Sequence, residues 1–185
     1  MPLKLLGTIS SSVQKASTSF ESIATATGTG SSGNITFSSI PSTYQHLQIR
    51  ISAISSCSYI GMNFNSDTGS NYTWHQLRGT GTTTSVTGIS NSTELYPMGS
   101  LSANNSYPYV GIIDILDYKD SNKFKTMRSL YGTDNNGTVG YQTVALSSGV
   151  WRNTTAISTI LVFASGGEVF QTGTHIALYG IKAAS

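Results

Sequence analysis

The clearest pattern in the chain is an alternation of apolar and polar residues. Within Tyr44–Ser52, Leu47, Ile49 and Ile51 alternate with Gln48, Arg50 and Ser52, the period of two that a strand shows when one face is buried. The turn-like Ser38-Ser-Ile-Pro-Ser42 precedes it, so the segment is expected to be a central strand that fixes the register of its neighbours. Glu21–Thr27 and Asn34–Phe37 read as strands joined by a hairpin loop, Gly28-Thr-Gly-Ser-Ser-Gly33. Ser58–Asn65 alternates again, followed by polar Ser66–His75 and the Gly/Thr-rich Gln76–Ile89. Residues 90–108 read as a long irregular connection.

The second half is a run of short strands. Tyr109–Tyr118 and Phe124–Gly132 flank Lys119-Asp-Ser-Asn-Lys123 as a hairpin. Asp134-Asn-Asn-Gly137 and Ser147-Ser-Gly149 are expected to be further turns. Thr155–Phe163 is strongly apolar and closed by Ala164-Ser-Gly-Gly167, and His175–Lys182 ends the fold. Helical spacing of apolar residues is nowhere sustained over three turns. This predicts an all-β fold, an antiparallel β-sandwich of jelly-roll type over residues 21–185, with a short N-terminal arm over residues 1–20. Leu47, Ile49, Ile51, Ile113, Ile115, Leu161, Phe163 and Leu178 are expected in or near the core.

Composition narrows the partners. Charged residues make up 10% of the 185, and a net charge of +2 leaves no electrostatic footprint for nucleic acid. Cys57 is the single cysteine, so no disulfide or multi-cysteine zinc site can form within one chain. No segment approaches the roughly 20 apolar residues of a membrane helix, and the N-terminus lacks a secretory apolar region. Synthesis in a cytosol without membrane insertion is the expectation.

Candidate chemistry is sparse. Gly28–Gly33 matches G-x-G-x-x-G, but a β-prone segment follows where a dinucleotide site needs a helix. His46, His75 and His175 are scattered without visible partners, and no nucleophile elbow occurs. Asp114 and Asp117 have odd spacing on one strand and cannot form a glycosidase pair with each other, though each could pair with a distant acid such as Glu94 or Glu168. Asp117 and Asp120 are better explained by ion pairs to Lys119, Lys123 or Lys125 than by a metal. No catalytic residue, metal ligand or cofactor is therefore assigned. What remains is a surface argument. Tyr72, Trp74, His75 and Arg78 stand close together, with Tyr96 and Tyr107 flanking the long connection, as candidates for contact with a receptor or glycan. The alternative is that Trp74 and several of the tyrosines plug the ends of the sandwich.

Four segments carry a resemblance. Ile40–Arg50, Phe64–Tyr72 with Trp74 and His75, Asp117–Lys125, and Ala177–Lys182 are similar to small β-sandwich surface and fibre-tip proteins of tailed bacteriophages. The resemblance implies a virion structural protein without catalytic activity, made in the host cytoplasm and assembled as a homotrimer. A tail-fibre component whose sandwich adheres to the host surface, including a surface glycan, is the favoured form. Capsid decoration and a stand-alone carbohydrate-binding module are the alternatives. Leu3, Leu5, Leu6 and Ile9, ahead of a polar run, would attach the arm to other virion proteins.

Overall fold

The computed structural model describes residues 19–99, 101, 104–133 and 143–182. Twelve strands run through them: β1 Phe20–Thr27, β2 Asn34–Phe37, β3 His46–Ser55, β4 Ile60–Phe64, β5 Tyr72–Thr80, β6 Thr83–Ser92, β7 Leu95–Met98, β8 Asn104–Leu116, β9 Lys125–Thr133, β10 Thr143–Trp151, β11 Ile160–Ala164 and β12 His175–Ile181. They form two antiparallel sheets, ordered β1-β12-β3-β8-β9-β10-β5-β6 and β2-β11-β4-β7. The chain is an all-β sandwich. Setting aside the consecutive pairs β5–β6 and β9–β10, the remaining strands fall into β1-β12-β3-β8 over β2-β11-β4-β7, the order of an eight-stranded jelly roll. The two extra pairs join side by side and lengthen one sheet to eight strands.

The pattern of β3 holds as read. Leu47, Ile49, Ile51 and Ala53 point inward and are buried, and β3 lies between β12 and β8. Facing them across the sandwich are Phe37, Ile60, Met62, Phe64, Ile160 and Val162. Ile113, Ile115 and Leu178 are core residues as expected. Leu161 and Phe163 are only half-buried, because the inward parity of β11 belongs to Ile160, Val162 and Ala164. Phe163 instead lies across the backbone of Gly61, where an added Cβ would come within 2.2 Å of its ring.

Several connections differ from expectation. Gly28–Gly33 is no hairpin loop but a crossover between sheets, since β1 pairs with β12 and β2 with β11. Its backbone is tied to the 168–174 segment, with Gly28 N–H donating to Thr174 O and Gly30 N–H to Phe170 O. A Cβ on Gly33 would lie 2.0 Å from Glu168 O, so close approach of two backbones, not phosphate binding, demands the glycine. Ser147-Ser-Gly149 is not a turn; it continues β10 between β9 and β5, and Gly149 is kept small by Leu95 of the facing sheet. The connection over 90–108 contains β7 and the start of β8. The expected strand over Thr155–Phe163 is ordered as β11 only from Ile160. Lys119–Lys123 does link a hairpin, β8–β9. The expected turn at Asp134–Gly137 lies outside the described residues, as do Leu3, Leu5, Leu6 and Ile9. Phe20 already pairs with Ile181, so strand pairing starts one residue before the anticipated start of the sandwich.

Candidate functional site

Strand parity decides where each candidate side chain goes. On β5, Tyr72, Trp74, Gln76 and Arg78 share the inward phase, while His75 and Leu77 face out. The structure therefore separates the expected cluster. Tyr72 is fully buried with Phe64 and Trp151, the ring centroids lying 5.6–6.4 Å apart. Trp74 is buried under Tyr96, which it stacks against at 4.4 Å, and Tyr96 stacks on Tyr59 at 3.9 Å. Arg78 is half-buried, its Nε donating to Ser85 Oγ at 3.3 Å, and Tyr107 is half-buried on β8. Only His75 of the six is exposed, lying over Gly88 of β6. Tyr72 and Trp74 consequently have no ring face to offer a ligand, and packing supersedes the contact role expected for them.

Most polar groups beneath the extended sheet are held for structure, the buried Trp74 Nε1 and Gln76 Oε1 being without a partner among the described residues. Tyr131 Oη receives Gln76 Nε2 at 2.5 Å and Gly99 N–H at 3.0 Å, and donates to Gly99 O at 2.6 Å. Burial pushes the Tyr131 hydroxyl up to about 12. Ser129 Oγ donates to Pro97 O. Lys125 is fully buried, and its ammonium donates to the carbonyls of Asp120, Lys123 (2.8 Å) and Thr154 (3.0 Å), one acceptor for each proton. Burial pulls its pKa below the ordinary lysine value, Asp120 and Asp117 opposing. The expected ion pairs form through Lys123, 3.5 Å from Asp117 and 3.7 Å from Asp120. Among the described residues no group of three or more His, Cys, Asp or Glu is placed to hold a metal.

The notable surface is one that alternation alone did not single out, the outer face of the eight-stranded sheet. Register aligns Arg50, Ile112, Leu130, Leu146, Leu77 and Val86 in one row across six strands. Beside it run Ser52, Val110, Gly132, Val144, Gly79 and Thr84. Ile112, Leu146, Val110, Leu77, Leu130, Val144 and Val86 are 44–75% exposed, with Val86 the most open. A shallow groove of about 440 Å³ is lined by Val110, Ile112, Leu130 and Val144, and neighbouring grooves continue it to His75 and Leu77. A polar row borders this apolar field: Gln48 Nε2 donates to Asp114 at 2.9 Å, and Arg128 lies 3.5 Å from the same carboxylate. At the β3 end the Arg50 guanidinium sits over the rings of Tyr179 (5.3 Å) and Phe20 (5.9 Å). Such a face offers apolar contact. It carries no acid pair, and its centre has no aromatic platform for a sugar.

No family model, curated protein or solved structure matches this chain. The class defined here is thus an architectural one: a jelly-roll sandwich with one sheet lengthened by two strand pairs and an apolar outer face.

Proposed function

We propose that the chain is a structural protein of a tailed-bacteriophage virion, borne on a tail fibre as a homotrimer with its sandwich directed to the host surface. The observation that carries the assembly part of this reading is the apolar outer face of the long sheet. Aliphatic fields of this size on soluble proteins usually mark contact with another protein. The four sequence segments similar to phage sandwich proteins supply the virion setting. A stand-alone carbohydrate-binding module is less well supported, because Trp74 and Tyr96 spend their ring faces on each other. Among the described residues a hydrolase has no support from converging acids: Asp114 is engaged by Gln48 and Arg128, Glu94 accepts from Tyr59, and Glu168 accepts from Ser56.

The test is to purify particles of the phage that encodes the chain, identify their proteins by mass spectrometry and label them with antibody to the recombinant sandwich. Gold at fibre tips is the expected result. Labelling over the head would move the protein to capsid decoration, and absence from purified particles would refute the virion role.

A further inference from the structure

We propose that the outer face from β8 to the β6 edge is the surface on which copies of this chain pack against one another. This rests on the multi-copy reading above and assigns it a place. Seven aliphatic side chains at 44–75% exposure leave roughly 600 Å² of apolar surface uncovered. That is the upper end for a monomer, and most of the ~800 Å² each partner gives to a standard interface. Charge also favours a copy. From β8 to β6 neither apolar row holds a charged side chain, and Asp114 on the border is already compensated by Arg128. Two such faces meet without trapping an unpaired ion, whereas a strongly acidic or basic partner would find no countercharge at the centre.

The edge of the same surface makes a second, independent demand. β6 ends the sheet, so half of the backbone groups along Thr83–Ser92 point away from β5. All but Ser92 of its ten residues are exposed, and none is charged or proline. Exposed edges are normally blunted by such residues or by bulges, and here the only bulge is at the Trp74 end. The opposite edge, β1, is protected: it has a bulge between Ser22 and Ala24 and carries Glu21 paired to Lys182. A neighbouring copy supplies both an apolar surface for Val86 and partners for the open edge.

The test compares the full-length chain with Leu130→Asp/Leu146→Asp and a control, Ser121→Asp, by light scattering coupled to size exclusion at micromolar concentration. Wild type and control should run as a multiple of 19.6 kDa and the double variant at 19.6 kDa, with an unchanged circular dichroism spectrum. If the double aspartate fails to fold, Leu130→Ser/Leu146→Ser replaces it. Amide exchange in wild-type β6 and β10 should also slow at least several-fold on raising the concentration. Variants that assemble like wild type would overturn the assignment while leaving a trimer intact. A wild-type dimer dispersed by the variants would uphold the face and refute the count of three. A monomeric wild type would overturn the proposal. Its face binding a hydrophobic dye only after removal of residues 1–18 would then give the face to that segment, and binding without removal would give it to a different protein. The virion role is decided separately, by the particle analysis.

Discussion

Replacing Asp67 with alanine should lower the stability of the sandwich by about 1.5–3 kcal/mol, the range for a hydrogen bond to a charged group whose buried donor is then left unpaired. Asp67 sits between β4 and β5, where the chain leaves the jelly roll for the first extra strand pair. Its Oδ2 accepts from Trp151 Nε1 at 2.7 Å and from Asn71 Nδ2 at 2.9 Å, and its Oδ1 accepts from Gly69 N–H at 2.8 Å. Trp151 is almost wholly buried against Phe64 and Tyr72, so its indole N–H loses its acceptor with the carboxylate. The Asn71 and Gly69 donors lie nearer solvent, where water replaces most of their contribution. At about 2–4 °C per kcal/mol for a chain of this size, the melting temperature should fall by about 3–12 °C. The sign of the pH dependence follows from the same contacts. Burial alone would raise the Asp67 pKa, but the Trp151, Asn71 and Gly69 donors outweigh it and hold the carboxyl below its ordinary value. Its stabilisation is thus fully present above the unfolded carboxylate pKa of about 3.9 and is lost as pH falls through the lower folded value. Calorimetry of wild type and Asp67→Ala at one protein concentration should show a gap at pH 7 that narrows below about pH 4. A gap under 1 °C at neutral pH, or one indifferent to acid, would refute the reasoning.

Lys125→Met keeps the buried stem but removes the donor from three carbonyls, and should cost about 1–3 kcal/mol; an unchanged melting temperature would mean those carbonyls find water instead. Gly33→Ala drives a Cβ into Glu168 O and should destabilise by a similar 1–3 kcal/mol, read as a lower urea midpoint at constant slope. Deleting residues 1–18 should leave the melting temperature within a few degrees but abolish incorporation into particles; a large fall in melting temperature would place the arm within the fold.

The fold was legible wherever one face of a strand is polar. β3 declares itself through Gln48, Arg50 and Ser52, and its inward residues could be named from parity alone. Legibility failed where residues serve a neighbour distant in sequence. Gly149 looks like a turn residue until Leu95 is placed 2.5 Å from its missing Cβ, and Gly28 and Gly33 look like a loop until the 168–172 backbone is laid against them. The aromatic candidates failed for a related reason. Closeness in sequence put Trp74 beside His75, yet adjacent residues of a strand face opposite ways, and the two end on opposite sides of the sheet. Lys125 reads as an ion-pair partner of Asp117 or Asp120, and nothing in the sequence signals its burial, because the carbonyls that cage it belong to turns whose geometry composition does not specify.

The outer face was partly written in the sequence, in a form that is informative once the register is known. β3 and β8 are neighbours, and both send isoleucines inward, yet their outward residues differ in kind. Opposite Gln48, Arg50 and Ser52 stand Asp114, Ile112 and Val110, so the apolar field begins at β8 and deepens through Leu130, Val144 and Leu146. A strand with apolar residues on both faces reads as a near-continuous run, the mark of one covered on both sides. Val110-Gly-Ile-Ile-Asp-Ile-Leu116 is such a run, and the smaller sheet covers only one of its sides. On the β1-β12-β3 side Arg50 lies over Tyr179 and Phe20, whereas Val110 and Ile112 of β8 stay uncovered. The strands added beyond β8 are complete in their hydrogen bonding as far as β6 but not in their burial. Their exposed outer residues contribute little to the isolated fold, and under the assembly proposed above they would be covered by a second copy.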